Sequence, residues 1–150
     1  MKIVDLNVLL YAINRSAKHH EKARSYWEAA LRRDEPVGLA WNVILGFLRL
    51  STRPSIFPRP LDAGQACERV ERWLARPNVR IVQEADEHMR LLRGLLAETG
   101  AAGNLTSDAH LAALALSHGA TLVSFDNDFA RFPRLQWTNP LTDKELSHDP

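Results

Sequence analysis

Apolar residues in this chain fall into two patterns that alternate along its length. Short apolar runs bounded by polar or turn-forming residues read as buried strands: Lys2 to Val4, Pro36 to Leu39 (the weakest), Val79 to Val82 and Thr121 to Ser124. Between them lie stretches with helical spacing. Val8 to Ile13 is the first, and Asn7 is placed to cap it through its short side chain. His20 to Arg33 carries Ala23, Trp27, Ala30 and Leu31 on one stripe. Trp41 to Leu50 runs ten residues without Gly-Pro punctuation, which favours helix over strand. Asp62 opens a helix through Ala66, Val70, Trp73 and Leu74 that stops before Pro77. Ala85 to Thr99 sets Met89, Leu92, Leu95 and Leu96 on one face and ends at Gly100. Asp108 to His118 is the most Ala/Leu-rich segment and ends at Gly119. Ser51 to Pro60, with three prolines, and Ala101 to Leu105 read as loops. Everything after Ser124 reads as loop, anchored by Phe129, Phe132 and Trp137.

Helical segments alternating with short buried strands predict a three-layer α/β/α domain with a mostly parallel, short-stranded sheet. The length of 150 residues fits one domain, here residues 1–141, followed by a polar tail at 142–150. Hydrophobic residues at 45% and charged residues at 25% exclude disordered and fibrous classes. The single cysteine, Cys67, excludes an intrachain disulfide and a zinc-thiolate cluster. Asp5 and Asn7 interrupt any signal-peptide core, and no window is apolar enough to span a bilayer, so the expected location is the cytoplasm.

In open parallel sheets, ligands bind beyond the carboxyl ends of the strands. Asp5 follows the first strand, and Asp126 and Asp128 follow the last. Asp108 reaches the same place by length. A helix of about 11 residues spans roughly 16 Å, and a returning strand of about five residues covers a similar distance. Four converging carboxylates repel strongly, since each pair at 4 Å costs about 4 kcal/mol at an effective dielectric of 20. Such a group persists if some members are protonated or a cation sits among them. Oxygen-only ligands suit Mg²⁺ or Mn²⁺, whose shell is commonly completed by substrate phosphate.

Other motifs fail. Asp126-Asn127-Asp128 begins like a calcium loop, but Arg131 stands at the glycine position and Trp137 at the final acidic one. No GxxxxGK[ST] or GxGxxG occurs. The six histidines are scattered; adjacent His19 and His20 face apart on a helix, and His110 and His118 read as surface or interface residues.

Val4-Asp5-Leu6-Asn7-Val8-Leu9, the segment from Asn104 to Ala115, and the segment from His118 to Phe129 together resemble the motifs of a PIN domain. Arg131-Phe132-Pro133 followed by Asn139-Pro140-Leu141 is similar to the ending of one branch, the VapC toxins of toxin–antitoxin pairs. The resemblance implies a Mg²⁺- or Mn²⁺-dependent endoribonuclease that leaves a 5′-phosphate and a 3′-hydroxyl. It implies a homodimer held inactive by a cognate VapB-type antitoxin. Asp5, Asp108 and Asp126 match the metal-binding acids, Asp128 a neighbouring catalytic acid, and Asn7 and Ser124 polar supports. One departure stands out. Many PIN domains carry a further glutamate, whose place falls near Phe47, and no acid lies between Trp41 and Ser51. Asp128, two residues after Asp126, is the expected partial substitute.

The net charge of +1 speaks at first against nucleic acid. Its distribution says otherwise. Seven arginines (Arg49, Arg53, Arg59, Arg69, Arg72, Arg76 and Arg80) face three acids (Asp62, Glu68 and Glu71) in the middle of the chain. Arginine suits phosphate because its fork donates in pairs. Arg49, Arg53 and Arg59 are the expected RNA contacts, with transfer RNA or ribosomal RNA as substrate. The alternatives are a non-catalytic PIN-like RNA- or protein-binding module, and an aspartyl-phosphate enzyme. The latter wants Asp-x-Asp after the first strand, where this chain has Asp5-Leu6-Asn7.

Overall fold

Three-residue strands supply few ladder hydrogen bonds, so this sheet depends on what covers its two faces. A computed structural model describes residues 1–100 and 103–142. The chain runs β1 (Lys2–Val4), α1 (Leu6–Ile13), α2 (His20–Arg32), β2 (Val37–Leu39), α3 (Trp41–Ser51), α4 (Ala63–Leu74), β3 (Val79–Ile81), α5 (His88–Thr99), α6 (Thr106–Ser117), β4 (Thr121–Val123) and β5 (Trp137–Thr138). Short 3₁₀ turns at Gly103–Leu105 and Asn127–Arg131 precede α6 and follow β4.

The sheet is parallel throughout, in the order β3-β2-β1-β4-β5. From β1 the chain steps outward through β2 to β3. It then crosses back past both to β4 and continues to β5. Right-handed crossovers put α1 to α4 on one face and α5 and α6 on the other. Helix contacts agree: α1 packs on α2 and α3, α3 on α4, and α5 on α6. This is the expected three-layer α/β/α arrangement.

Composition explains both layers. On one face Trp27 and Phe47 meet Trp73 edge-on, with ring centroids 5.4 and 4.9 Å away. On the other, α6 buries Ala109, Leu111, Ala112, Ala113, Leu114 and Ala115. It is covered on nearly every side, and its alanines allow close approach to the sheet.

Several boundaries differ from the sequence reading. Asp5, not Asn7, caps α1: Asp5 has extended backbone (φ −77°, ψ 160°) and its side chain accepts from Leu6 N. Asn7 instead spends its amide on partners across the sheet, described below. α6 begins at Thr106, so Asp108 lies in its first turn and not at its start. α5 begins at His88 and not Ala85, after a turn closed by His88 N donating to Ala85 O. The weak strand at 36–39 is an interior strand, paired on both sides by β1 and β3. Residues 137–138, read as loop, add an edge strand beside β4. From residue 143 on, the polar tail lies outside the described residues, as do residues 101–102 of the loop before α6. Among the described residues no helix is long and apolar enough to cross a membrane.

Gly38, central in β2, is crowded by side chains from β1 and from the residue just past β3. A Cβ there would lie 2.6 Å from Val82 Cγ1 and 3.0 Å from Ile3 Cγ1. Both neighbours belong to buried core residues. Gly38→Ala should therefore destabilise the fold by about 1–3 kcal/mol, read as a lower urea midpoint at unchanged m-value.

Candidate active site

Strand order reverses at β1 and β4, and the crevice beyond their carboxyl ends is where such sheets bind ligands. The register sets Val4 beside Val123, so the next residues, Asp5 and Ser124, emerge level. Asp5 N donates to Val123 O at 2.9 Å, extending the ladder one step.

Ser124 is fully buried and uses all its hydrogen-bonding capacity. Its hydroxyl donates to Asp5 Oδ2 at 2.7 Å. It accepts from Asn7 Nδ2 at 3.1 Å and from Asp126 N at 3.0 Å. Asn7 Nδ2 also reaches Asp5 Oδ2 at 3.3 Å, and Asn7 Oδ1 accepts from Phe125 N at 3.1 Å. Asp5 Oδ1 accepts from Leu6 N at 2.7 Å. The two residues expected as polar supports thus bind β1 to β4 and fix the Asp5 carboxylate from both sides.

After Ser124 the chain turns at once. Asp126 caps the 3₁₀ turn by accepting from Asp128 N at 2.8 Å. Asn139, buried beside β5, donates to Phe125 O at 3.3 Å and to Asn127 Oδ1 at 3.1 Å, pinning the same turn from outside. Asp128 is exposed at the rim, and its Oδ1 lies 3.9 Å from Arg131 Nε.

Electrostatics show how the acids meet. Asp108 is pushed up to about 6, first by burial and then by the charges of Asp5, Asp126 and Asp128. Asp5 is raised too. Burial is the main cause and Asp126 adds to it, while hydrogen bonds from Ser124 and Leu6 pull the other way. All four sequence-expected acids are therefore charge neighbours. As they stand, however, no three His, Cys, Asp or Glu side chains among the described residues are grouped to hold a metal ion. The acids form a field that favours a cation, not a closed ligand shell. Their donor set is oxygen only, and it fits a hard divalent ion that keeps part of its water.

Phe47 lies fully buried against Trp73, so α3 brings no acid toward the site. What α3 does bring is Asn42 in its first turn, just past β2, with a buried Oδ1 that has no hydrogen-bond partner among the described residues. Sequence reading also missed the aromatic wall. His19 stacks on Phe125 at 5.6 Å and 5°, and Tyr11 meets Phe125 edge-on at 5.3 Å. No spacing signal links residues 11, 19 and 125.

Arg49, Arg53 and Arg59 are exposed. Arg59 lines a groove of about 550 Å³ with Arg15, Asn14 and Phe57. Arg15 also lines an adjoining cavity of about 350 Å³, together with Arg24, Arg69, Trp27 and Trp73.

The PIN domain family profile matches residues 2–135. Ribonuclease VapC37 of Mycobacterium tuberculosis is 44% identical over 140 residues, covering 93% of this chain and 97% of that protein. Ribonuclease VapC33 of the same organism is 37% identical over 141 residues, covering 94% and 99%. Among solved structures, VapBC2 of Rickettsia felis bound to a promoter DNA fragment superposes with a TM-score of 0.67 at 20% identity, covering 92% of this chain and 97% of that one. VapC20 of M. tuberculosis, a sarcin–ricin loop cleaving toxin, superposes at 0.63 with 20% identity, covering 87% and 93%. On a sheet whose reversal point gathers Asp5, Asp108, Asp126 and Asp128, this likeness over nearly the whole length places the chain in the PIN domain family, within its VapC ribonuclease branch.

Proposed function

We infer that the protein is an endoribonuclease and the toxin of a VapBC-type toxin–antitoxin pair, with a VapB-type antitoxin as its partner. The observation that carries this reading is the part-buried Ser124–Asn7–Asp5 network, which fixes one of the three carboxylates whose charges bear on Asp108. Relatives named as ribonucleases, and structural neighbours solved as VapBC complexes, support it. A purely binding module has no use for carboxylates held together at this cost.

Asp5, Asp108 and Asp126 would hold Mg²⁺ or Mn²⁺, with Asp128 at the rim completing the acidic set. Bound there, the ion supplies an activated water and stabilises charge on the phosphoryl oxygens. The protein's own work is placement. Ser124 and Asn7 fix the Asp5 carboxylate, and Asp128 N with Asn139 fix the turn that carries Asp126. Hydrolysis adds water across the P–O3′ bond, so phosphate stays on the 5′ side and the leaving oxygen becomes a 3′-hydroxyl. Arg53 and Arg59 are proposed to grip the RNA backbone with Arg49 and, from the groove, Arg15. Trp41 and Leu45, one turn apart on α3 and 52% and 59% exposed, offer apolar surface that a second copy would cover in a homodimer.

Asp5→Asn should abolish cleavage of total RNA while the protein stays folded, because the amide removes one negative charge and its oxygen still accepts a hydrogen bond. Chelation should silence the wild type and added Mn²⁺ restore it. Cleavage that survives Asp5→Asn would overturn the assignment.

The pH dependence follows from Asp108. Its folded value of about 6 exceeds the ordinary 3.8, so the folded state holds the proton more tightly. Stability from this group is full below 3.8 and is lost as pH rises through about 6. Metal-free Asp108→Asn, which cannot ionise, should melt at or above wild type at pH 7.5, with the gap closing toward pH 4. A variant that melts lower throughout would make Asp108 a structural residue.

Replacing Arg53 and Arg59 with Gln should weaken RNA binding and flatten its salt dependence by about one unit of slope per lost phosphate contact. An unchanged slope, measured by filter binding from 50 to 200 mM salt, would remove both from the interface.

A further inference from the structure

Where α5 meets α6, two histidines that the acidic site does not use lie against each other. His88 Nε2 and His110 Nδ1 are 2.9 Å apart, with ring centroids 4.9 Å apart and planes crossed at 77°. On the far side of His110, Glu84 Oε1 lies 3.7 Å from Nε2. A carboxylate only accepts, so the proton of a neutral His110 belongs on Nε2. That leaves Nδ1 as acceptor and His88 Nε2–H as donor. His88 Nδ1 is then a buried lone pair with no hydrogen-bond partner among the described residues. Among the described residues the His88 ring has one hydrogen bond, the one to His110. If packing were all this position had to supply, an apolar side chain would serve without the orphaned nitrogen. The donor is what the position requires.

The location of the bond gives its consequence. α6 begins behind the Gly103–Leu105 turn, and its N-cap residue, Leu105, supplies no side-chain cap. The far end of α6 is tied separately, by His118 Nε2 donating to Gln83 O at 2.8 Å. The first turn carries Asp108, and His110 follows two residues later. We propose that the His88–His110 hydrogen bond positions the first turn of α6, and with it Asp108, against Asp5 and Asp126, making His88 and His110 positioning residues for the divalent ion. The inference rests on the metal reading above. It concerns no proton transfer; the two rings act through where they hold the helix.

The test is titration of the full-length, metal-stripped protein with Mn²⁺, followed by calorimetry and by loss of the free-ion resonance signal. Wild type sets the reference, and Asp108→Asn should weaken binding strongly. His88→Phe keeps an aromatic ring against His110 and deletes the donor; it should raise the Kd for Mn²⁺ about tenfold. His88→Gln, whose amide nitrogen falls near the position of Nε2, should recover most of that loss, and His110→Asn, whose oxygen falls near Nδ1, should bind close to wild type. If His88→Phe does not fold, His88→Leu serves as the donor-free variant. Wild type that binds Mn²⁺ no better than Asp108→Asn overturns the metal reading and this inference with it. Wild type that binds more tightly than Asp108→Asn, with His88→Phe equal to wild type, overturns positioning alone. A His88→Gln as weak as His88→Phe also overturns it, because the pair would then matter only as packing.

Discussion

Repulsion among four carboxylates at one end of a parallel sheet is the constraint around which this domain is arranged. Burial and three acidic neighbours raise Asp108 to about 6, and the same kind of pressure raises Asp5. A group under that strain would spread apart unless its backbone were fixed from elsewhere. The Ser124 hydroxyl provides the fixing, because it bonds Asp5, Asn7 and the Asp126 backbone at once. A serine has one proton and two lone pairs, so this position is saturated. Alanine there would release three contacts together and leave Asp5 half-buried without its main partner.

The rest of the fold supplies rigidity to that point. Strands of three residues cannot hold a sheet flat against charge repulsion by their ladder alone. Packing on both faces compensates: an aromatic group around Trp73 on one side, and the alanine-rich, nearly enclosed α6 on the other. Enclosure of α6 matters because that helix delivers Asp108. Its middle turns, buried from Leu111 to Ala115, limit how far the helix can slide to relieve its first-turn acid, while the exposed Thr106 and Ser107 leave that turn itself less covered.

Much of this was legible from sequence, for identifiable reasons. Asp5 and Asp126 follow short apolar runs, and Asp108 reaches them because helix and return strand have matched lengths, a distance that residue counting can supply. The layers followed from alternating strand and helix patterns. What sequence misjudged were side chains whose partners are remote. Asn7 looks like a cap, yet its amide bonds residues 118 and 117 positions away, and the cap falls to Asp5. The edge strand at 137–138 is two residues long, below any periodicity. The stacking of His19 on Phe125 and the pairing of His88 with His110 arise from tertiary contact alone.

The buried Phe47 and the near-neutral charge bear on each other. With α3 giving its inward position to the aromatic core, the site has one acid fewer than many PIN domains present. Fewer fixed negative charges mean less repulsion to offset, and also less attraction for a divalent ion, so the ion affinity proposed above would depend more on the placement of the acids that remain. Asn42 sits in the first turn of that same helix with a buried oxygen, a neutral acceptor that adds no charge to the group. The net charge of +1 hides an uneven distribution: four of the 18 acids converge at the sheet's carboxyl end, while Arg49, Arg53 and Arg59 lie exposed elsewhere. An ion bound among the acids would cancel local negative charge and so lessen the repulsion that an RNA phosphate meets there. An RNA strand would then meet a surface more basic than the sequence total suggests, and its affinity should follow the ion and not the overall charge.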